Sequence, residues 1–136
     1  MSDLLAFVSA NAHAASVDTT AASACLDRFT AAFNAGDLAG MDAELHFPHT
    51  LLSGAQRLVW DRPGQHPPDF FEQLRATGWA STRYESKEAV LASADKVHFV
   101  LTYTRRNAAD QVLSTHHNLW IVTRLDGRWG IALRSY

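Results

Sequence analysis

Apolar residues recur along this chain first at helical spacing and then at strand spacing. From Thr20 to Leu45 the order is TAASACLDRFTAAFNAGDLAGMDAEL. Ala22, Leu26, Phe29 and Phe33 draw one apolar stripe along an α-helix. Thr19 or Thr20 supplies the expected cap, and Gly36 stands where a glycine ends a helix. Asp37 can cap a second, shorter helix that carries Leu38, Met41 and Leu45 on one side. After that the period changes. His46 to Ser53 reads as a strand entered through Pro48, Gly54-Ala55 as a tight turn, and Gln56 to Trp60 as the return strand. Asp61 to Pro68 is a proline-rich loop. A helix over Asp69–Ala76 follows, with Phe70, Phe71 and Leu74 inward and Gly78 closing it.

Strand alternation dominates the remainder. Trp79 to Ala92 alternates loosely. Val97, Phe99, Leu101 and Tyr103 form one face of the next strand. After the Asn107–Asp110 turn, Leu113, Thr115, His117, Leu119 and Ile121 alternate with His116, Asn118, Trp120 and Val122. The first set is expected to face inward and the second outward. Asp126-Gly127 is a hairpin signal, and Trp129, Ile131 and Leu133 share a face beyond it. The order predicts an α+β domain, 1–136, with a curved and mostly antiparallel sheet wrapped around a long N-terminal helix. Residues 1–18 carry Leu4, Leu5, Phe7 and Val8. They suit a first helix to about Ala15, either mobile or packed on a partner chain.

Composition narrows the classes of partner. The 136 residues are 47% hydrophobic and 19% charged, with a net charge of −2. No basic block invites nucleic acid or an anionic membrane surface. No apolar run approaches a membrane span, and the start lacks the basic flank of a signal peptide, so a cytoplasmic protein is expected. Cys25, the single cysteine, excludes an internal disulfide and reads as a buried, inert thiol. No phosphate loop, dinucleotide fingerprint or nucleophile elbow is present, so no cofactor is expected.

Three stretches carry a resemblance. They are Arg28 to Leu38 with its Asn-Ala-Gly-Asp, the second helix running into Leu45-His46-Phe47-Pro48-His49, and the terminal Val122 to Ile131 hairpin with Asp-Gly-Arg-Trp. Over roughly residues 20–136 the chain resembles the nuclear transport factor 2-like superfamily, the SnoaL-like or cystatin-like cone proteins. The resemblance implies a cone fold. It does not choose an activity, because the superfamily holds isomerases, dehydratases, cyclases, epoxide hydrolases and transport factors. The first helix most resembles that of ketosteroid isomerases, yet the residues that family uses are missing. The position of its oxyanion tyrosine is Phe29, its general base falls on Ser53, and its second oxyanion acid falls near Leu119. Losing one such donor costs about 2.7–4 kcal/mol of transition-state stabilisation. Ketosteroid isomerase activity by the usual residues is therefore not expected.

Seven histidines offer other chemistry. His49 and Ser53 fall on the inner face of their strand, and His117 is expected inward as well. An inward histidine is most often a hydrogen-bonded core residue, but it can also act as a pocket base or acid. The candidate catalytic set is His49 or His117 as base with Tyr103 as hydrogen-bond donor. Ser53, Phe29, Trp60 and Trp79 complete a ligand-binding set, the two tryptophans as an apolar rim. Tyr103 is to pair with Ser114 or Thr115, depending on a bulge near 107–110. His13 and His66 read as solvent-exposed, and His98 as outer-face. A zinc site at His46, His49 and His117 lacks a spacing motif, so no metal is expected. Arg105, Arg106, Arg124 and Arg128 read as solvated strand ends. Arg134 could reach a carboxylate across a dimer or at the open end. Two functions compete. One is a pocket for a small, largely apolar molecule. The other is a non-catalytic homodimer that uses the outer sheet face of His116, Asn118, Trp120 and Val122 over a filled core.

Overall fold

The computed structural model describes residues 3–9 and 17–136. Its elements are α1 (Leu4–Ser9), α2 (Thr20–Asn34), α3 (Leu38–Asp42), β1 (Leu45–Ser53), β2 (Gln56–Trp60), α4 (Phe70–Ala76), β3 (Ser81–Ala92), β4 (Lys96–Arg106), β5 (Val112–Leu125) and β6 (Arg128–Ser135). The six strands form one sheet in the order β2-β1-β6-β5-β4-β3. Only β1 and β6 run parallel; every other neighbouring pair is antiparallel. This is the α+β arrangement expected from the pattern.

The helical stripe behaves as its spacing requires. Ala22, Leu26 and Phe29 of α2 are buried, and Phe33 packs beside them. Cys25 is fully buried, and burial pushes its thiol up to about 12, which suits an inert packing residue. The expected threonine cap is absent, since Thr19 makes no side-chain cap bond. Asp18 Oδ1 instead accepts from the Thr20 amide at 2.9 Å. Gly36 takes φ +65 after α2, and Asp37 caps α3 by accepting from the Gly40 amide. Of the expected first helix, α1 is described, and Leu4, Leu5, Phe7 and Val8 on it are all exposed. The rest of that helix, with His13, lies outside the described residues.

The faces of β5 are reversed from the expectation. Tyr103 lies opposite His116, Phe99 opposite Trp120, and Val97 opposite Val122. Residues directly opposite across a ladder share a face, so the inward set of β4 brings His116, Asn118, Trp120 and Val122 inside. Leu113, His117, Leu119 and Ile121 go outside. Tyr103 thus pairs with neither Ser114 nor Thr115. The register slips at Arg105/Arg106, where one extra residue enters β5. Both sets are apolar enough to pass for a core face, so composition alone misassigned them.

A second irregularity breaks the expected Trp129–Ile131–Leu133 face. Val122 pairs with Ile131, but Ile121 pairs with Leu133. The extra residue flips the alternation, so Ile131 and Arg134 both face inward. Each is almost wholly buried.

His46 pins the final hairpin. Its Nε2 donates to the Arg128 carbonyl at 2.9 Å and to that of Thr123 at 3.1 Å, while Arg128 Nη2 donates to its Nδ1. A Cβ added at Gly130 would stand 2.8–3.0 Å from the His46 ring. That ring is held through both nitrogens and has no room to yield. Gly130→Ala should therefore destabilise the protein by about 1–3 kcal/mol, the usual cost of overpacking. Urea unfolding checks this; an unchanged midpoint would contradict the close packing of Gly130 against His46.

Candidate functional site

A cavity of about 430 Å³ lies between α2, α4 and the concave face of the sheet. Phe29 and Phe33 reach it from α2, Trp60 from β2, Phe70 from α4, and Tyr103 and Trp120 from the sheet. Edge-to-face contacts lock this wall. Phe33 meets Phe70, Phe71 and Trp79 at 5.1–6.0 Å, and Phe29 meets Trp120 at 5.5 Å.

Arg134 is the polar centre of the cavity wall. Its guanidinium lies 5.1 Å from the Phe29 ring centroid, 5.6 Å from Trp120 and 5.7 Å from Trp60. Its Nε donates to His49 Nε2 at 3.0 Å. Since that nitrogen accepts, the proton of His49 is on Nδ1, which donates to the Ile131 carbonyl at 2.9 Å. His49 is fully buried. Burial and the neighbouring guanidinium hold it down at about 3. Both of its nitrogens are committed, so His49 positions Arg134 and does not face the cavity as a free base.

His66, expected in solvent, is buried and lines the cavity. Its ring lies 4.4 Å from that of Trp60. Its Nδ1 stands 3.2 Å from Asp42 Oδ1, and the other Asp42 oxygen accepts from the Gly64 amide. The contact is close but poorly aligned, and neither His66 Nδ1 nor Asp42 Oδ1 completes a hydrogen bond. Burial first, and then Arg134, lower the His66 imidazole from its ordinary value, against the opposing pull of Asp42. The pairing leaves Nε2 as the ring nitrogen not turned to Asp42.

Tyr103 also reaches the cavity. Its oxygen accepts from Asn118 Nδ2 at 2.7 Å, and burial pushes its hydroxyl up to about 12. It therefore keeps its proton and can donate it. Of the other expected residues, Phe29 and Trp60 line the cavity. Trp79 packs behind Phe33, with its Nε1 donating to Thr82 Oγ1. Ser53 lies on the inner side of β1 but is exposed at its end. His117 is exposed on the outer face, bonded to Thr102 Oγ1 at 2.9 Å, so it does not join His49. Arg105 is not a solvated strand end, since it lines the cavity and its Nε is buried. Among the described residues no three His, Cys, Asp or Glu side chains come together as a metal would need.

Sequence reasoning missed His66 and Asp42, and it did not place Arg134, Arg105 or Trp120 at the cavity. His66 carried one signal, because its loop is flanked by Trp60 and Phe70, whose rings pack against it. Arg134 carried none, since its direction depends on the irregularity in β6.

These features define the cone fold of the NTF2-like, cystatin-like proteins. No family model and no curated protein matches the sequence. Solved structures match the fold. A putative ketosteroid isomerase from Shewanella frigidimarina is 14% identical with a TM-score of 0.61, over 85% of this chain and 94% of that one. A cystatin-like protein of unknown function from Nostoc punctiforme is 14% identical with a TM-score of 0.64, over 87% and 88%. An NTF2-like protein of unknown function from Shewanella oneidensis is 19% identical with a TM-score of 0.58, over 86% and 96%. The likeness is one of fold.

The buried histidines contribute to the response to acid. His49 is ordinarily near 6.5 and is held at about 3 when folded. Between those values the unfolded chain binds a proton that the folded one refuses. The part of the stability that His49 contributes is thus complete above pH 6.5 and falls as pH drops towards about 3, by about 1.4 kcal/mol for each pH unit crossed. His66 acts in the same direction, and Asp42→Asn, by removing what raises it, should lower it further. Urea unfolding across this range, with NMR titration of His66, checks both; stability that rises on acidification would contradict the assignment.

Proposed function

We propose that this protein binds a small, largely apolar molecule in the cavity and that His66, oriented by Asp42, supplies acid/base chemistry there. The observation that carries the reading is an aromatic-walled space of about 430 Å³ with a carboxylate-backed imidazole on its wall. Pockets of this size and lining suit small ligands. A depressed imidazole is neutral near pH 7 and can accept a proton at Nε2. Tyr103 is the matching donor, with Asn118 holding its oxygen. The roles expected of His49 and His117 pass to His66, because His49 is spent on Arg134 and His117 lies outside.

The outer face of the sheet supports a second property. Val100, Leu119 and Ile121 are apolar and stand half-buried on it. We propose that two copies pair through this face, as such sheet surfaces often do. Native mass spectrometry at micromolar protein should show two copies, and Ile121→Asp should return one; wild-type protein found only as single chains would sink the pairing.

The cavity itself is tested with a neutral apolar fluorophore, N-phenyl-1-naphthylamine. Its emission should rise on binding. Thr30→Trp, which fills the cavity from α2, should weaken binding by about tenfold or more, the loss of roughly 1.4 kcal/mol or more. Binding that is absent in the wild type, or indifferent to the filled cavity, would reject the pocket reading.

A further inference from the structure

Arg134 is not explained by packing. A guanidinium stays charged at any ordinary pH and carries five N–H donors. Arg134 is 4% exposed, yet its Nε is the one atom of the fork that finds a hydrogen-bond partner among the described residues. Its Nη2 is buried with none. No carboxylate among the described residues pairs with it, and no Asp or Glu side chain lines the cavity. Three aromatic rings surround it and offset part of the cost of burying a cation. They cannot accept the remaining in-plane N–H bonds.

Other donors on the same wall are also unspent. Trp120 Nε1–H and Arg105 Nε–H are buried without partners, and both residues line the cavity. The Tyr103 hydroxyl hydrogen is free as well, since its oxygen is the acceptor for Asn118. The wall is therefore rich in donors and cations and lacks a carboxylate. A neutral hydrocarbon would leave all of this unsatisfied.

We propose that Arg134 is the anchor for the carboxylate of an otherwise aromatic or apolar ligand, with Trp60, Phe29 and Trp120 enclosing the apolar body. This deepens the pocket reading and rests on it. The fork geometry of a guanidinium matches a carboxylate in two parallel bonds. His49 keeps the fork aimed by holding its Nε, so His49 is a positioning residue. A single negative charge fits one guanidinium among aromatic rings; a dianionic phosphate would bring a second charge into apolar surroundings. Arg105 stands apart from this anchor. It lies six positions along β4 from Phe99, the residue in register with Trp120 and through it with Arg134.

The test uses a matched pair, 2-naphthoate and its neutral isostere 2-naphthamide, titrated by calorimetry into the full chain. Wild-type protein should bind the naphthoate at least about tenfold more tightly. Arg134→Met should bring the naphthoate down to the level of the amide while leaving the amide within about twofold. Arg134→Lys, which keeps the charge but loses the fork, should retain part of the preference. Arg105→Met, which removes the other guanidinium on the wall, should lower the preference by less than Arg134→Met does. Should the Arg134 variants fail to fold, the guanidinium ¹⁵N resonances of wild-type protein give the answer, because the naphthoate and not the amide must shift those of Arg134. Equal affinity for the two compounds overturns the carboxylate assignment and leaves the pocket standing. So does a preference that survives in Arg134→Met or disappears in Arg105→Met. If neither compound binds, while the neutral fluorophore does not bind either, the pocket reading falls and this inference falls with it.

Discussion

One hydrogen bond joins the fold to the site: Arg134 Nε to His49 Nε2, with His49 Nδ1–H returned to the Ile131 carbonyl. It sits where the β1–β6 ladder is irregular, between the Leu45↔Ile131 and Thr50↔Leu133 pairings. At such a gap the backbone polar groups lose their usual partners and must find others. The imidazole of His49 takes one of them, Ile131 O. In doing so it fixes its own tautomer and leaves an acceptor aimed at Arg134. The only parallel strand pair in the sheet is thus bridged by a side chain at its weakest point.

Burying Arg134 has electrostatic consequences that reach the neighbours. Burial holds both His49 and His66 below their ordinary range, and the desolvated Arg134 cation beside them adds to that effect. Each imidazole is then neutral near pH 7. One is locked as an acceptor for the guanidinium, and the other stands beside a carboxylate on the cavity wall. Two histidines of one type thus acquire different tasks from their surroundings alone. The charge that adds to the effect of burial on them is the same charge that the aromatic rings cradle.

Aromatic packing supplies the rest of the shape. Phe33 is gripped by Phe70, Phe71 and Trp79, which ties α4 and the start of β3 to the end of α2. The cavity opens beside that knot, lined from α2 by Phe29, Thr30 and Phe33. Folds of this cone type carry many unrelated activities. The same backbone likeness at 12–21% identity joins structures named as a putative isomerase, a putative hydroxylase and proteins of unknown function. The backbone likeness therefore does not choose an activity for this chain.

From the sequence by itself the element order, the helix ends at Gly36 and Asp37, the hairpin at Asp126-Gly127 and the inward face of β4 were all legible. These are local matters, set by periodicity and turn chemistry over a few residues. The resemblance to the cone proteins rested on the same local signals. The faces of β5 and the direction of Arg134 were not legible, because each depends on a one-residue slip between strands that touch only after folding. Such a slip inverts every side chain beyond it. It carried His117 to the outer face, brought Trp120 and Asn118 in, and turned an arginine near the chain end into the charged centre of an aromatic cavity. His66 and Asp42 meet for a similar reason, through a loop whose path is decided by what it packs against. Local spacing determines which elements form, and the long-range register between them decides what chemistry they enclose.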